Sequence, residues 1–121
     1  MPQFMLLLHE DPAGARAMSP EEMQRVIERY GAWSRQLAVQ GRLAGGQKLT
    51  DDGGRHLRPA GAGGGSGRGV TVTDGPYVEG KEIVAGYFTV EAPDYDGAVA
   101  IAAECPHLAH GWIEVRRIDP V

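Results

Sequence analysis

The sequence predicts an α+β fold in which an antiparallel sheet carries two helices on one side. Three observations point to it. Short runs dense in apolar, β-branched or aromatic residues occur near both ends of the chain, at residues 3–9, 83–91 and 111–118. Two stretches with helical periodicity, at 20–40 and 95–105, alternate with them. Glycine is concentrated in between: of 18 in the chain, 14 fall from Gly41 to Gly86, where the backbone must turn tightly or stay mobile. At 121 residues, with 42% hydrophobic and 23% charged residues, the chain has the size and composition of a single domain spanning 1–121.

Residues 3–9 read as a strand, almost wholly apolar and stopped by the turn-prone Glu10-Asp11-Pro12. Ser19-Pro20-Glu21-Glu22 is a helix start, with Ser19 as N-cap, Pro20 at the first helical position and Glu22 in capping-box spacing. From there Met23, Val26, Ile27, Tyr30, Trp33 and Leu37 recur every three or four residues, forming one apolar stripe that Gly41 ends. Residues 42–49 return as a strand, whose Gly45 and Gly46 suggest a bulge or a close backbone approach. A short strand at 55–58 and a β-branched one at 69–73 follow, with a flexible glycine-rich hairpin at 53–69 between and around them.

Residues 83–91 form a further strand, with Val84, Phe88 and Val90 assigned to one face and Ile83, Ala85, Tyr87 and Thr89 to the other. Asp94 caps a second helix with a small-residue buried side, which Pro106 ends, and residues 111–118 supply the last strand. The order β-α-β-(hairpin)-β-β-α-β is that of a ferredoxin-like sheet. Two helices cover one sheet face, yet residues 4–8 and 83–90 are apolar on both, so the second face needs a cover. A second copy of the chain supplies it most economically, and a homodimer through the open sheet face is expected.

Charge and cysteine content narrow the function classes. Twelve Lys and Arg against 16 Asp and Glu give −4, with no basic stripe, which argues against direct nucleic-acid binding. The longest apolar run, residues 4–8, is far short of a membrane span. The one cysteine, Cys105, fits a reducing cytoplasm and is expected to be buried and inert. The glycine tract carries no Gly-Lys-Ser/Thr and leads into a strand, so it is no phosphate loop.

Among the four histidines, His107 and His110 have the spacing of a metal pair. No carboxylate lies in the same stretch, and Pro106 has already ended the helix, so they read as solvated loop residues; no metal, haem or other cofactor is expected. His9 ends the first strand, where side chains from several strands can converge. The densest polar segment is residues 74–82, in which Asp74, Glu79 and Lys81 bring both charges into one connection between strands. A carboxylate there could act as a general base and the lysine could hold an anion.

Val72-Thr73-Asp74-Gly75-Pro76-Tyr77-Val78-Glu79-Gly80-Lys81-Glu82, followed by Gly86-Tyr87-Phe88, closely resembles the signature of the DGPF subgroup of YCII-related proteins. Phe4-Met5-Leu6-Leu7-Leu8, Ser19-Pro20-Glu21-Glu22, Cys105-Pro106-His107-Leu108 and Gly111-Trp112-Ile113-Glu114-Val115-Arg116 resemble further family positions. The resemblance implies a dimeric α+β barrel. It implies less about function: a small-molecule-binding or regulatory module, with related domains linked to extracytoplasmic-function sigma factors, or a small-substrate enzyme using a His/Asp acid–base pair in a cleft. Carried over by position, His9 and Asp74 are the catalytic candidates, and Tyr77, Glu79, Lys81 and Tyr87 the substrate-binding ones. Tyr77 stands where the family commonly has Phe, and Gly80 where Thr is common.

Overall fold

The computed structural model describes residues 1–60, 69–75 and 81–121. Strands β1 (Gln3–Glu10), β2 (Leu43–Lys48), β5 (Ile83–Glu91) and β6 (Trp112–Arg117) form a sheet in the order β2-β5-β1-β6. All its pairings are antiparallel, which is the ferredoxin-like arrangement. Strands β3 (Arg55–Pro59) and β4 (Val70–Asp74) form a separate two-stranded sheet rather than extending the first. The expected mobile tip at 61–67 lies outside the described residues.

Helix α2 (Pro20–Val39) starts where its cap residue places it: the Ser19 hydroxyl accepts from the Glu22 amide at 3.1 Å. It ends at Gly41, whose φ of 72° lies in the left-handed region that favours glycine. Helix α3 (Tyr95–Ala102) is capped by the Asp94 carboxylate, which accepts from the Gly97 amide at 2.8 Å. Two local expectations are corrected. The turn at Pro12 continues into a short helix, α1 (Pro12–Arg16), because Asp11 caps it and Pro12 is preorganised for its first position. The second helix stops at Ala102, short of Pro106, and Pro106–Ala109 form a 3-10 turn that carries His107.

The core lies between the sheet and its helices. Phe4, Leu6 and Leu8 from alternate positions of β1 pack with Val90, with Trp33 and Leu37 of α2, and with Ala98, Ile101 and Ala102 of α3. Trp33 meets Phe88 edge-on with ring centroids 5.0 Å apart, a preferred aromatic geometry. Cys105 is buried in the same cluster, and burial pushes its thiol above the ordinary value. The expected irregularity in β2 is a register shift between Leu43 and Gly45, and a Cβ on Gly46 would stand 2.8 Å from the Phe88 ring.

One strand assignment changes. Leu8 pairs with Gly86 but His9 pairs with Val84, so Ala85 is an extra residue in β5. The bulge resets the alternation, bringing Val84 into register with His9 and Ile83 with Glu10. The open sheet face, carrying Met5, Leu7, Tyr87 and Thr89 with Glu114 and Arg116 opposite β1, is not fully buried anywhere along its length.

Candidate functional site

The end of β1 divides the polar chemistry of the molecule. Strand alternation sends His9 to the open face and Glu10 to the helix side, where Phe4, Leu6 and Leu8 precede it. On the open face the His9 ring stacks on Trp112, centroids 4.0 Å apart and planes 7° from parallel. Its Nε2 lies 3.1 Å from a Glu114 carboxylate oxygen. That contact and Arg116 at 3.3 Å hold the Glu114 carboxyl below its usual range. Trp112 in turn donates its indole N–H to Glu82 at 2.6 Å. His9 borders a cavity of about 530 Å³ formed with Glu82, Val84, His56 and the 49–54 segment.

The described signature residues do not gather at His9. Asp74 is exposed and its carboxylate is engaged by Arg55 at 3.3 Å. Lys81 is exposed, and neither it nor Asp74 lines this cavity or the one beneath the helix. Tyr87 sits on the open face in register with Leu7 and Gln47. Tyr77 and Glu79 lie outside the described residues. The carboxylate adjacent to His9 is therefore that of Glu114, and no described contact joins His9 to Asp74.

A second polar group gathers on the helix side, and here the reading of His107 and His110 as solvated loop residues is corrected. His107 is 1% exposed. The 3-10 turn aims its ring under β1, where Nε2 lies 2.8 Å from the His9 carbonyl oxygen. A carbonyl only accepts, so Nε2 carries the proton and Nδ1 of the neutral ring is an acceptor. The Tyr30 hydroxyl, 2.7 Å away, donates to that Nδ1. His110 Nε2 lies 3.1 Å from the same hydroxyl and donates to it. Burial holds His107 below its ordinary value, against the opposing pull of the His9 carbonyl. Burial likewise pushes the Tyr30 phenol far up, with smaller contributions from Cys105 and Glu10. The Tyr30 and His107 rings are accordingly both neutral near pH 7.

Gly111 makes this packing possible. A Cβ there would stand 2.3 Å from the His9 carbonyl oxygen and 2.4 Å from His107 Nε2, so any side chain would displace the hydrogen bond between them. Glu10 completes the group. It is 8% exposed, and its carboxylate makes no hydrogen bond or ion pair with a described residue. One ligand atom from each of Glu10, His107 and His110 lies within 4.8 Å of the others.

These residues close one end of a cavity of about 470 Å³ beneath α2. Much of its wall is apolar: Met23, Val26 and Ile27 from the helix stripe, Met18 before it, and Leu8 and Phe88 from the sheet. Lys48 and Asp51, paired at 3.0 Å, stand elsewhere on its lining. The first half of the α2 stripe thus lines a cavity, while the second half, Trp33 and Leu37, fills the core.

The His107/His110 spacing is visible in the sequence, but no carboxylate lies in the same segment. The signal lay elsewhere. The alternation Phe4-Leu6-Leu8 runs straight on to Glu10, placing an acid on the buried face, and Tyr30 is the one residue of the apolar stripe with a hydroxyl.

No helix among the described residues is long and apolar enough to cross a membrane. No curated protein matches the sequence. A family model described as the YCII-related domain matches residues 2–121, nearly the whole length over which the sequence motifs are spread, and the chain belongs to the YCII-related family.

Proposed function

We propose that this protein binds a small, largely apolar molecule carrying one polar group, in the cavity between α2 and the sheet. The observation that carries this reading is the convergence of Glu10, Tyr30, His107 and His110 in a cavity whose remaining lining is mostly apolar, with Gln47 and the Lys48–Asp51 pair as its other polar side chains. An apolar space of a few hundred Å³ with a few convergent polar groups is the usual form of a small-molecule site. The Tyr30 hydroxyl, oriented by His107 and His110, keeps an acceptor lone pair beyond those two bonds, and His107 is itself locked by the His9 carbonyl. An acid–base enzyme built on His9 and Asp74 draws less support, since Asp74 pairs with Arg55 and lines neither cavity.

The functional unit in this reading is a homodimer in which the open sheet face of one copy covers that of another. Met5, Leu7 and Tyr87 give that face an apolar centre, and the Trp112 ring is 46% exposed beside it. The family resemblance implies the same assembly. A regulatory role, with ligand occupancy as the input, fits such a module; the connection to sigma-factor signalling rests on the resemblance alone.

A thermal-shift screen over small carboxylic acids, phenols and aromatic amides tests the binding reading. Compounds that stabilise the parent should lose their effect in Val26→Trp, which fills the cavity, and keep it in Asp74→Ala. The reverse pattern would place the site on the other side of the sheet. Light scattering should give twice the chain mass of 12.9 kDa; a monomer across the micromolar range would refute the covered face.

A further inference from the structure

We infer that Glu10, His107 and His110 form a binding site for a divalent first-row transition metal ion, with one coordination position open to the cavity beneath α2. Two imidazoles and one carboxylate are the donor set of many three-ligand zinc and non-haem iron sites. One ligand atom from each residue already lies within 4.8 Å of the other two. Around a tetrahedral ion at about 2.0–2.2 Å such atoms stand roughly 3.4 Å apart. Reaching that spacing requires rotation about the side-chain bonds of Glu10 and His110.

Two features favour a cation at this cluster. The first is Glu10. The residue is 8% exposed and lines the cavity, its carboxylate has no hydrogen-bond or ion-pair partner among the described residues, and its oxygens are reached from the cavity rather than sealed in the core. A metal ion between this carboxylate and two imidazoles would give it the partner that the protein itself does not supply. The second is His107. Its Nε2–H donates to the His9 carbonyl at 2.8 Å, which is the outer hydrogen bond that orients metal-binding histidines and leaves the other nitrogen free to ligate. Nδ1 is that nitrogen, and it points into the cluster toward Tyr30.

Tyr30 sets the competition. Its hydroxyl bridges His107 Nδ1 and His110 Nε2 at 2.7 and 3.1 Å, so it must swing aside when the ion enters. Metal-free and metal-bound forms then differ in which partner the two imidazoles share. In the bound form the open position faces the apolar cavity, where the polar group of a small ligand could complete the coordination sphere. The metal site itself does not depend on any such ligand.

The test uses full-length protein stripped with a chelator and titrated with Zn²⁺ by calorimetry and with Co²⁺ by visible absorption, with no organic compound present. One ion per chain should bind, and Co²⁺ should develop the d–d bands of a low-symmetry site with nitrogen and oxygen donors. Glu10→Gln and His110→Gln should each weaken binding by more than the 10- to 100-fold typical of losing an outer-shell partner, whereas His56→Gln should leave it unchanged. Circular dichroism confirms folding of each variant, and His110→Gln, at the less buried position, decides the matter if Glu10→Gln does not fold. Saturable binding that both variants retain, or no Co²⁺ spectrum at millimolar metal, would overturn the site. Failure of the organic-ligand screen with intact metal binding would count against the small-molecule reading alone.

Discussion

The two faces of the sheet carry histidines of opposite character, although one peptide unit connects them. His9, on the open face, stacks on an exposed Trp112 and meets a carboxylate that solvent also reaches. His107, beneath the other face, is enclosed, and its ring is fixed by the carbonyl of that same His9. The surroundings decide what each can do. A partly exposed imidazole–carboxylate pair on an open face contributes little, while a buried and fully oriented ring is preorganised for a ligand or an ion. Proximity to a signature loop is a weaker guide to a site than enclosure.

That contrast can be broken or sharpened by substitution. The largest effect is expected in the core beneath the helices: Phe4→Ala should cost about 3–5 kcal/mol in denaturant unfolding. Met5→Ala, one residue along on the open face, should cost well under half as much in a monomer; a comparable loss would mean that a second copy covers that face. Next comes His107→Ala, which strands the Tyr30 hydroxyl and the His9 carbonyl and leaves a cavity, at about 2–4 kcal/mol. Gly111→Ala should destabilise by a similar route and, in a spectrum of the imidazole protons, lose the slowly exchanging Nε2–H of His107.

Smaller effects follow at the edges. Tyr30→Phe removes the bridge between the two imidazoles and should cost about 1–2 kcal/mol. Glu114→Gln should barely move the melting midpoint at pH 7. The Glu114 carboxyl titrates below its usual value because His9, and then Arg116, favour its charged form. Any stability it contributes is therefore present above the ordinary carboxylate pKa and is lost as pH falls through the lowered one. The parent and Glu114→Gln melting curves should converge on acidification, and divergence would contradict the assignment.

The fold was legible because its cues are local. Ser19 with Pro20, Gly41, and Asp94 each mark a helix boundary by backbone chemistry that needs no tertiary partner. The bulge at Ala85 was not legible, since it exists only in the pairing of β5 with β1. The site was legible in part. His107 and His110 announced themselves by spacing, but their neighbours Glu10 and Tyr30 are 97 and 77 residues distant from His107 in sequence, and only the packing of a 3-10 turn under β1 brings them together. The burial that turns a loop histidine into an oriented one leaves no trace in composition.

Chemical-shift mapping during titration with a compound from the thermal-shift screen tests the central claim most directly. The largest perturbations should fall on Tyr30, His107, His110 and the Met23–Ile27 turn of α2, with the His9 and His56 side chains little affected. Perturbations centred on His9, His56, Glu82 and Trp112, with the helix-side cluster silent, would contradict it.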